Sequence, residues 1–434
     1  MKKKLMTATL ITLSVSMVFG CSNNNATGTT GKKEQKKTLT VWMKKLLVED
    51  QNKLFVERAK QFGVENNADV NIELIATDDF YPKWTAAIES GNVPDVTQFG
   101  YQVVGEFQQK GLLADISDVV KRIEEKNGPI YETMKKAITY DGKQYALPYW
   151  AEGTVLFYRK DILKNAGFDG PPKTWEEFRK IAKAVTDSSK GLYGAGIGFG
   201  KNDTDAEWQT RAMIWSYGGS LDTSDGKTVK VNSPETIEAA KLIRDIFITD
   251  KSTPPSALGW DDSGNNKAYL SGQVAMTMNV GSLLNSIKKD NPELYNNTGL
   301  AMLPAGPKGT FIPGISNNLG IFKNAKNPEL AGKFLEYVAD ASWYKTWVEK
   351  GVPLAAPMLT KLADEPIWND YKIFVDSTKS YTFLGYPGGF NPKSGEVYNL
   401  RYVNETFQEM LGKNIPPEKA MQDLQTKIEE VFKK

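Results

Sequence analysis

Three short apolar segments near the N-terminus, separated by two helical periods, restrict this 434-residue chain to few architectures. TLTVWM (38–43) reads as a strand. Residues 50–62 then place Leu54, Phe55, Arg58, Ala59 and Phe62 on one helical face. DVNIELIA (69–76) alternates apolar and polar residues and reads as a second strand. Residues 80–90 have a helical pattern that stops at Gly91, and PDVTQF (94–99) reads as a third strand. A β-α-β-α-β order predicts parallel pairing with helices on the faces of the sheet.

A second region begins near Gly142. YDGKQYALPYW and GTVLFYRKD read as extended segments. Residues 174–185 predict a helix: Thr174 and Glu177 form a capping box, and Phe178, Ile181, Ala182 and Val185 share one face. Ser233–Pro234 and Asn327–Pro328 each predict a capped helix start with proline at the first position. The chain closes on a helix bearing Ala420, Leu424, Ile428 and Val431.

GLYGAGIGFG (191–200) invites a phosphate-loop reading, but its glycines alternate and no position satisfies G-x-G-x-x-G before a helix. A strand closely approached by another backbone fits better. Asp203, Asp205 and Glu207 have calcium-like spacing without the loop glycine or the twelfth-position glutamate, and are expected in a solvated loop.

MKKKLMTATLITLSVSMVFGC opens the chain. Three lysines precede fifteen mostly apolar residues, which is the pattern of a secretory signal and short for a membrane span. Gly20–Cys21 resembles the bacterial lipobox, in which cleavage leaves an acylated N-terminal cysteine; Phe19 is bulkier than that pattern usually carries. SNNNATGTTGKKEQKK follows, with too few apolar side chains to offset its ordering entropy, and reads as a tether. The expected organisation is a signal at 1–20 and a lipidated tether at 21–37. Cys21 is the only cysteine, so no intrachain disulfide forms and stability must come from a core.

There is no histidine, which removes Ser–His–Asp and Cys–His catalysis, a histidine base and His-ligated zinc. Fifty-four basic residues face 52 acidic ones, and three of the basic residues lie in the leader. That balance gives no footprint for nucleic acid. Ten Trp, eighteen Tyr and nineteen Phe are the notable excess. No cofactor and no metal site is expected.

YPKWTAAIESGNVPDV, LADISDVV, YDGKQYALPYWAEGTVLFYRKDILKNAGF, PPKTWEEF, YLSGQVAMTMNVGS and ISNNLGIFKNAKNPELAGKFLEYV occur in this order. From residue 38 to the C-terminus the chain resembles the extracellular solute-binding proteins of ABC importers, of the sugar-binding type typified by the maltose-binding protein. The resemblance implies a two-lobed α/β fold of the periplasmic-binding-protein type II, each lobe a sheet flanked by helices, with a ligand cleft between them. Crossings are implied near 149–151, 312–314 and 355–357. The N-lobe would then comprise 38–150 and 315–355, and the C-lobe 152–313 and 357–434.

Sugars present apolar faces that aromatic rings cover and hydroxyl edges that carboxylates, amides and backbone groups bond. Against that chemistry, Trp42 at the end of the first strand is a sugar contact or core. Phe99 and Tyr101 follow the third strand, where open α/β sheets bind ligands. Asp79 is a hydroxyl partner or a helix cap. The resemblance makes Glu152 a cleft-facing acid, with Trp150 beside it stacking or filling the hinge. Trp215, Trp260, Asp261 and Asn279 are further candidates. Ser282 stands where the family often has a stacking Trp, so Trp260 or Tyr386 would have to compensate. Ser316 and Asn317 follow the second crossing, and Tyr386 and Phe390 lie on a glycine-rich loop. Trp175 and Trp343 read as structural.

The resemblance implies a monomeric, non-enzymatic carrier of a carbohydrate, in particular an oligosaccharide, that docks on a membrane permease and is held to the membrane by its lipid. The same fold binding a polyamine, phosphate ester or peptide stays open, as does an exported glycosidase using two carboxylates. Mass spectrometry of the native N-terminus tests the anchor: a diacylated or triacylated Cys21 is expected, and an intact Met1 or a bare cysteine would refute it.

Overall fold

The computed structural model describes residues 36–433; the leader, Cys21 and nearly all of the 21–37 tether lie outside them. Strand β1 (Lys37–Lys44) buries Leu39, Val41 and Met43. They pack on Phe55, Ala59 and Phe62 of the helix Glu49–Glu65, the face expected from its spacing. β2 (Ala68–Ile75) and β3 (Val96–Gly100) both pair with β1 in parallel, as the β-α-β-α-β pattern predicts. The helix Phe80–Ser90 joins them and stops at Gly91, whose φ of 69° is the left-handed geometry a glycine C-cap provides.

β4 (Leu147–Ala151) adds to the same sheet, and the chain then passes to a second one. That sheet contains β5 (Val155–Arg159), β6 (Tyr193–Gly196), β7 (Val274–Asn279) and β8 (Thr298–Ala301), in the order β8-β5-β7-β6. The chain returns to the first sheet as β9 (Ser316–Gly320) and β10 (Ala356–Pro357), completing the order β10-β4-β9-β3-β1-β2. β9 runs antiparallel to both β3 and β4. Its N-terminal end therefore lies beside the C-terminal ends of its neighbours, a placement that matters for the site.

The alternating glycines behave as expected. A β-carbon at Gly194 would sit 2.1 Å from the carbonyl oxygen of Ala182 in the helix Trp175–Val185, so that helix lies directly on the strand. The capping box also forms: Thr174 Oγ1 accepts from the Glu177 amide at 3.1 Å, and Glu177 Oε2 accepts from the amide of Lys173 at 2.7 Å. Ser233 caps the helix Pro234–Arg244. Asn327 does not cap the helix Pro328–Val338; its amide group donates instead to the Thr38 carbonyl.

The Asp203–Glu207 stretch is not a solvated loop. Asp203 is buried as the N-cap of the helix Thr204–Tyr217, and Glu207 is buried against Arg211 at 2.6 Å. Helical rotation of about 100° per residue turns Asp205 away from Asp203 and Glu207, and those two are engaged by the Ala206 amide and by Arg211, so the three cannot surround one ion. Among the described residues no carboxylate, histidine or cysteine cluster could hold a metal, and no helix is long and apolar enough to cross a membrane.

Trp347, Tyr149, Tyr344 and Phe334 fill the core under the first sheet. Trp175, Phe178, Met213 and Ile243 fill the core under the second. Trp175 is thus structural, as expected, and Trp343 packs at the edge of the first core. The segment after residue 357 serves both bodies: Leu359, Trp368 and Val375 join the first core, whereas Val403, Phe407, Leu424 and Ile428 join the second.

Buried Asp95 ties β1 to the returning chain by accepting from the Thr40 amide at 2.9 Å and the Asn327 amide at 2.8 Å. Asp95→Ala leaves both donors without that partner and is expected to lower unfolding free energy by about 2 kcal/mol. The check is a lower denaturant midpoint at unchanged slope.

Candidate functional site: a carboxylate-lined cleft

The strand ends on one side of both sheets converge on a cleft. Lys44, Lys45, Leu46 and Leu47 continue β1; Ala76, Thr77 and Asp78 continue β2; Glu152 follows β4; Asn279, Val280 and Ser282 follow β7. Ligands in α/β sheets bind at such carboxyl ends. The main chamber has a volume of about 400 Å³, and a side chamber of about 100 Å³ shares Lys44, Thr77, Thr204, Trp208 and Ile315 with it. Together they have the size and mixed lining of a small-molecule site.

Glu152 lies at the floor and is only 4% exposed. Its Oε1 accepts from Asn317 Nδ2 at 2.8 Å and Trp150 Nε1 at 3.1 Å, and pairs with Lys44 Nζ at 3.2 Å. Asp205 Oδ2 accepts from Asn265 and Asn279 at 2.9 and 3.3 Å. Asn279 also bonds Asn266. Asp78 Oδ1 accepts from Thr204 Oγ1 at 3.2 Å, a hydrogen bond that spans the cleft. Asp261 is satisfied by the backbone amide and hydroxyl of Ser263 at 3.1 and 2.7 Å.

This concentration of carboxylates perturbs their titration. Burial pushes Asp205 well above the usual carboxylate range, and the neighbouring Asp262 charge adds to it. Burial raises Asp262 to about 6, assisted by Asp78 and Glu152 and opposed by Lys44 and Arg401. Burial also raises Asp78, against the Arg401 charge and the Thr204 hydrogen bond. For Lys44, burial alone would favour the neutral amine; the charges of Glu152, Asp262 and Asp205 outweigh it and leave its pKa above normal.

Of the residues expected to touch ligand, Glu152, Asp261, Asn279 and Ser282 line the main chamber, and Ser316 and Asn317 the side chamber. The aromatic expectations fare differently. Phe99 is fully buried against Trp84, Phe107 and Phe322, because β3 is covered on both faces. Tyr101 is buried and its hydroxyl accepts from the Leu384 amide at 3.0 Å. Trp42 is buried with Lys83 Nζ 4.8 Å from its ring, so it is core. Trp150 is buried in the first core and Trp215 packs on Tyr386. Tyr386 and Phe390 belong to the same aromatic cluster, on Phe311 and Tyr101 respectively. Trp260 rests on Gly264 and donates to Ser256 Oγ at 3.2 Å; its neighbours Asp261 and Asp262 line the cleft instead. Asp79 flanks the helix Phe80–Ser90 without a side-chain capping bond, and Asp78 is the residue that lines the cleft.

The ring that does line both chambers is Trp208, one turn into the helix Thr204–Tyr217 and packed 4.9 Å from Tyr398. Its position just beyond β6 was the available signal. Lys44, Asp78, Asp205, Asp262 and Arg401 were also missed. Arg401 carries no sequence signal: it reaches the side chamber from a left-handed backbone (φ 59°), with a buried Nη1 that has no hydrogen-bond partner.

Residues 47–345 match the family model described as bacterial extracellular solute-binding protein. A protein of Brucella abortus (strain 2308), described only as a binding protein, is 30% identical over 295 residues, covering 67% of this chain and 69% of its own. The maltodextrin-binding protein of Bacillus subtilis (strain 168) is 27% identical, covering 81% of this chain and 80% of its own. A sugar transporter of Arthrobacter chlorophenolicus A6, solved with bound laminaribiose, superposes with a TM-score of 0.82 at 18% identity, over 92% of this chain and all of the other. The fold is therefore the two-lobed one of that class. The chain belongs to the bacterial extracellular solute-binding proteins.

Because the folded pKa of Asp262 is raised, the folded state binds its proton more readily than the unfolded chain between about pH 4 and pH 6. Its charged form is thus a destabilising element that disappears as pH falls. Asp262→Asn is expected to raise the melting temperature of the ligand-free protein at about pH 7.5 and to leave it nearly unchanged at about pH 5. An equal effect at both values would refute this.

Proposed function

We propose that this chain is the solute-capturing component of an ABC importer, that its solute is a carbohydrate of oligosaccharide size, and that it performs no chemistry on it. The observation that carries the reading is the composition of the cleft: an indole, Trp208, shared by both chambers, further rings including Trp84 and Tyr398 in the side chamber, and carboxylates, amides and hydroxyls around them that can bond hydroxyl edges. The maltodextrin-binding relative supports the same substrate class. A lobe built on the first sheet closes on a lobe built on the second, with the segment after 357 divided between their cores, and ligand drives closure by bonding groups on both sides. Asp78 comes from the first side, Asp205 and Asn279 from the second, and Glu152 stands at the crossing between them.

The capture body works outside the cytoplasmic membrane as a monomer, tethered by lipid at Cys21, and presents closed ligand to a permease. Tethering keeps it near the transporter.

A thermal-shift and tryptophan-fluorescence screen of the purified full chain against mono- and oligosaccharides tests this. One sugar class is expected to bind and to be recovered unchanged after release. Ligand at 100 times its dissociation constant stabilises by about 2.7 kcal/mol. Trp208→Ala is expected to weaken that binding about tenfold or more. Turnover of the sugar, or binding indifferent to Trp208, would overturn the reading.

A further inference from the structure

The cleft carboxylates divide into two kinds. Glu152 is paired with Lys44, and Asp261 has Ser263 with Lys267 at 3.7 Å. Asp78, Asp205 and Asp262 have no cation within ion-pair distance among the described residues. Asp78 has one hydroxyl and Asp205 two amide donors, while Asp262 has no hydrogen bond at all.

Carboxylates whose side chains are fully buried elsewhere are treated differently, whereas these three are part-buried. Asp250 has Arg179 and Lys183, Glu207 has Arg211, and Glu106 has Lys110. Buried carboxylates without a cation are capped by N–H groups instead: Asp95 by two backbone amides, Asp203 by the Ala206 amide, Asp222 by Asn391. Asp262 has neither provision, and it shares a chamber with two other acids that no cation pairs.

We propose that the solute carries a protonated amine, an amino sugar, and that Asp262 with Asp205 and Asp78 receives the ammonium. This rests on the carbohydrate reading of the cleft and specifies its substrate. Asp78 lies on the side of the first sheet, Asp205 and Asp262 on that of the second. Drawing them together is repulsive, and the more distant charges of Lys44 and Arg401 offset that repulsion only in part. An ammonium between them converts that repulsion into attraction in the closed form only, which is the differential affinity closure requires. An ammonium offers three donors and no acceptor, matching acids that hold unfilled acceptor positions. The nearby cations do not substitute for it: Lys44 Nζ is engaged by Glu152, and Arg401 lines the side chamber.

The test compares two disaccharides of the same linkage, cellobiose and its glucosamine counterpart, by calorimetry on the full chain at neutral pH, with spermidine as a third probe. The amine-bearing sugar is expected to bind about tenfold or more tightly than cellobiose, the usual difference for a charge-assisted hydrogen bond. Asp262→Asn should bring the two affinities together, and added salt should weaken the amino sugar selectively. Equal affinities, or a preference for cellobiose, would overturn the ammonium and leave carbohydrate capture standing. Spermidine bound with neither sugar would overturn the amino-sugar assignment and the carbohydrate reading together. If no amine-bearing probe binds, the proposal falls, and the neutral-sugar screen decides separately on carbohydrate capture.

Discussion

One carboxylate holds the floor of the cleft together. Glu152 follows β4, yet its Oε1 gathers Lys44 from β1, Trp150 from β4 and Asn317 from β9. Its backbone carbonyl accepts from the Tyr381 hydroxyl at 2.7 Å, and its backbone amide donates to the Ile315 carbonyl at 2.9 Å. Four segments distant in sequence thus meet at a residue that also begins the passage between sheets. A buried ion pair of this kind contributes little net stability, since desolvation consumes most of the attraction. Its value lies in position: removing the acid would strand a partly buried ammonium and two further donors at once, so the strand ends that form the cleft cannot drift apart.

The antiparallel insertion of β9 explains why the site exists where it does. β1, β3 and β4 deliver their carboxyl ends to one edge, and β9 delivers its amino end there. Ser316 and Asn317 therefore stand beside Gln98, Gly100 and Glu152 although some two hundred residues separate them. Gln98 Nε2 donates to Asn317 Oδ1 at 2.9 Å, which fixes the amide so that its nitrogen points at Glu152. Local alternation and long-range topology are both needed to place that one side chain.

The fold was largely legible in the sequence because its signals are local. Strand alternation, the Thr174–Glu177 box, the Ser233–Pro234 start and the Gly91 stop each act within a few residues, and each appears in the structure. The family pattern supplied Glu152 and Asn317. The aromatic part of the site was misjudged for one physical reason. A tryptophan at a strand end looks available for ligand, but the end of β1 and all of β3 and β4 are covered on both faces, so Trp42, Phe99 and Trp150 are spent on packing. Trp208 sits in a helix buried nearly all round and gives no amphipathic signal. Its exposure to the cleft is decided by where the helix begins. Asp78 and Asp79 differ by a single step of a short helical turn that sequence does not phase.

That same helix start accounts for how uncompensated acids are tolerated. Asp205 lies in the first turn of the fourteen-residue helix Thr204–Tyr217, and Asp78 just precedes the helix Phe80–Ser90. Helix N-termini carry a partial positive charge that favours carboxylates by roughly 0.3–1 kcal/mol. Fixed backbone dipoles can support an anion without occupying its outward acceptor positions, as a lysine partner would. That support is outweighed by burial, which raises the pKa of all three acids, so each is only marginally held as an anion without a ligand. A stability-optimised sequence would place a lysine or arginine there. This chain leaves the positions open, and accepts the mutual repulsion of Asp205 and Asp262, because a site already neutralised from within would have nothing left to offer a ligand.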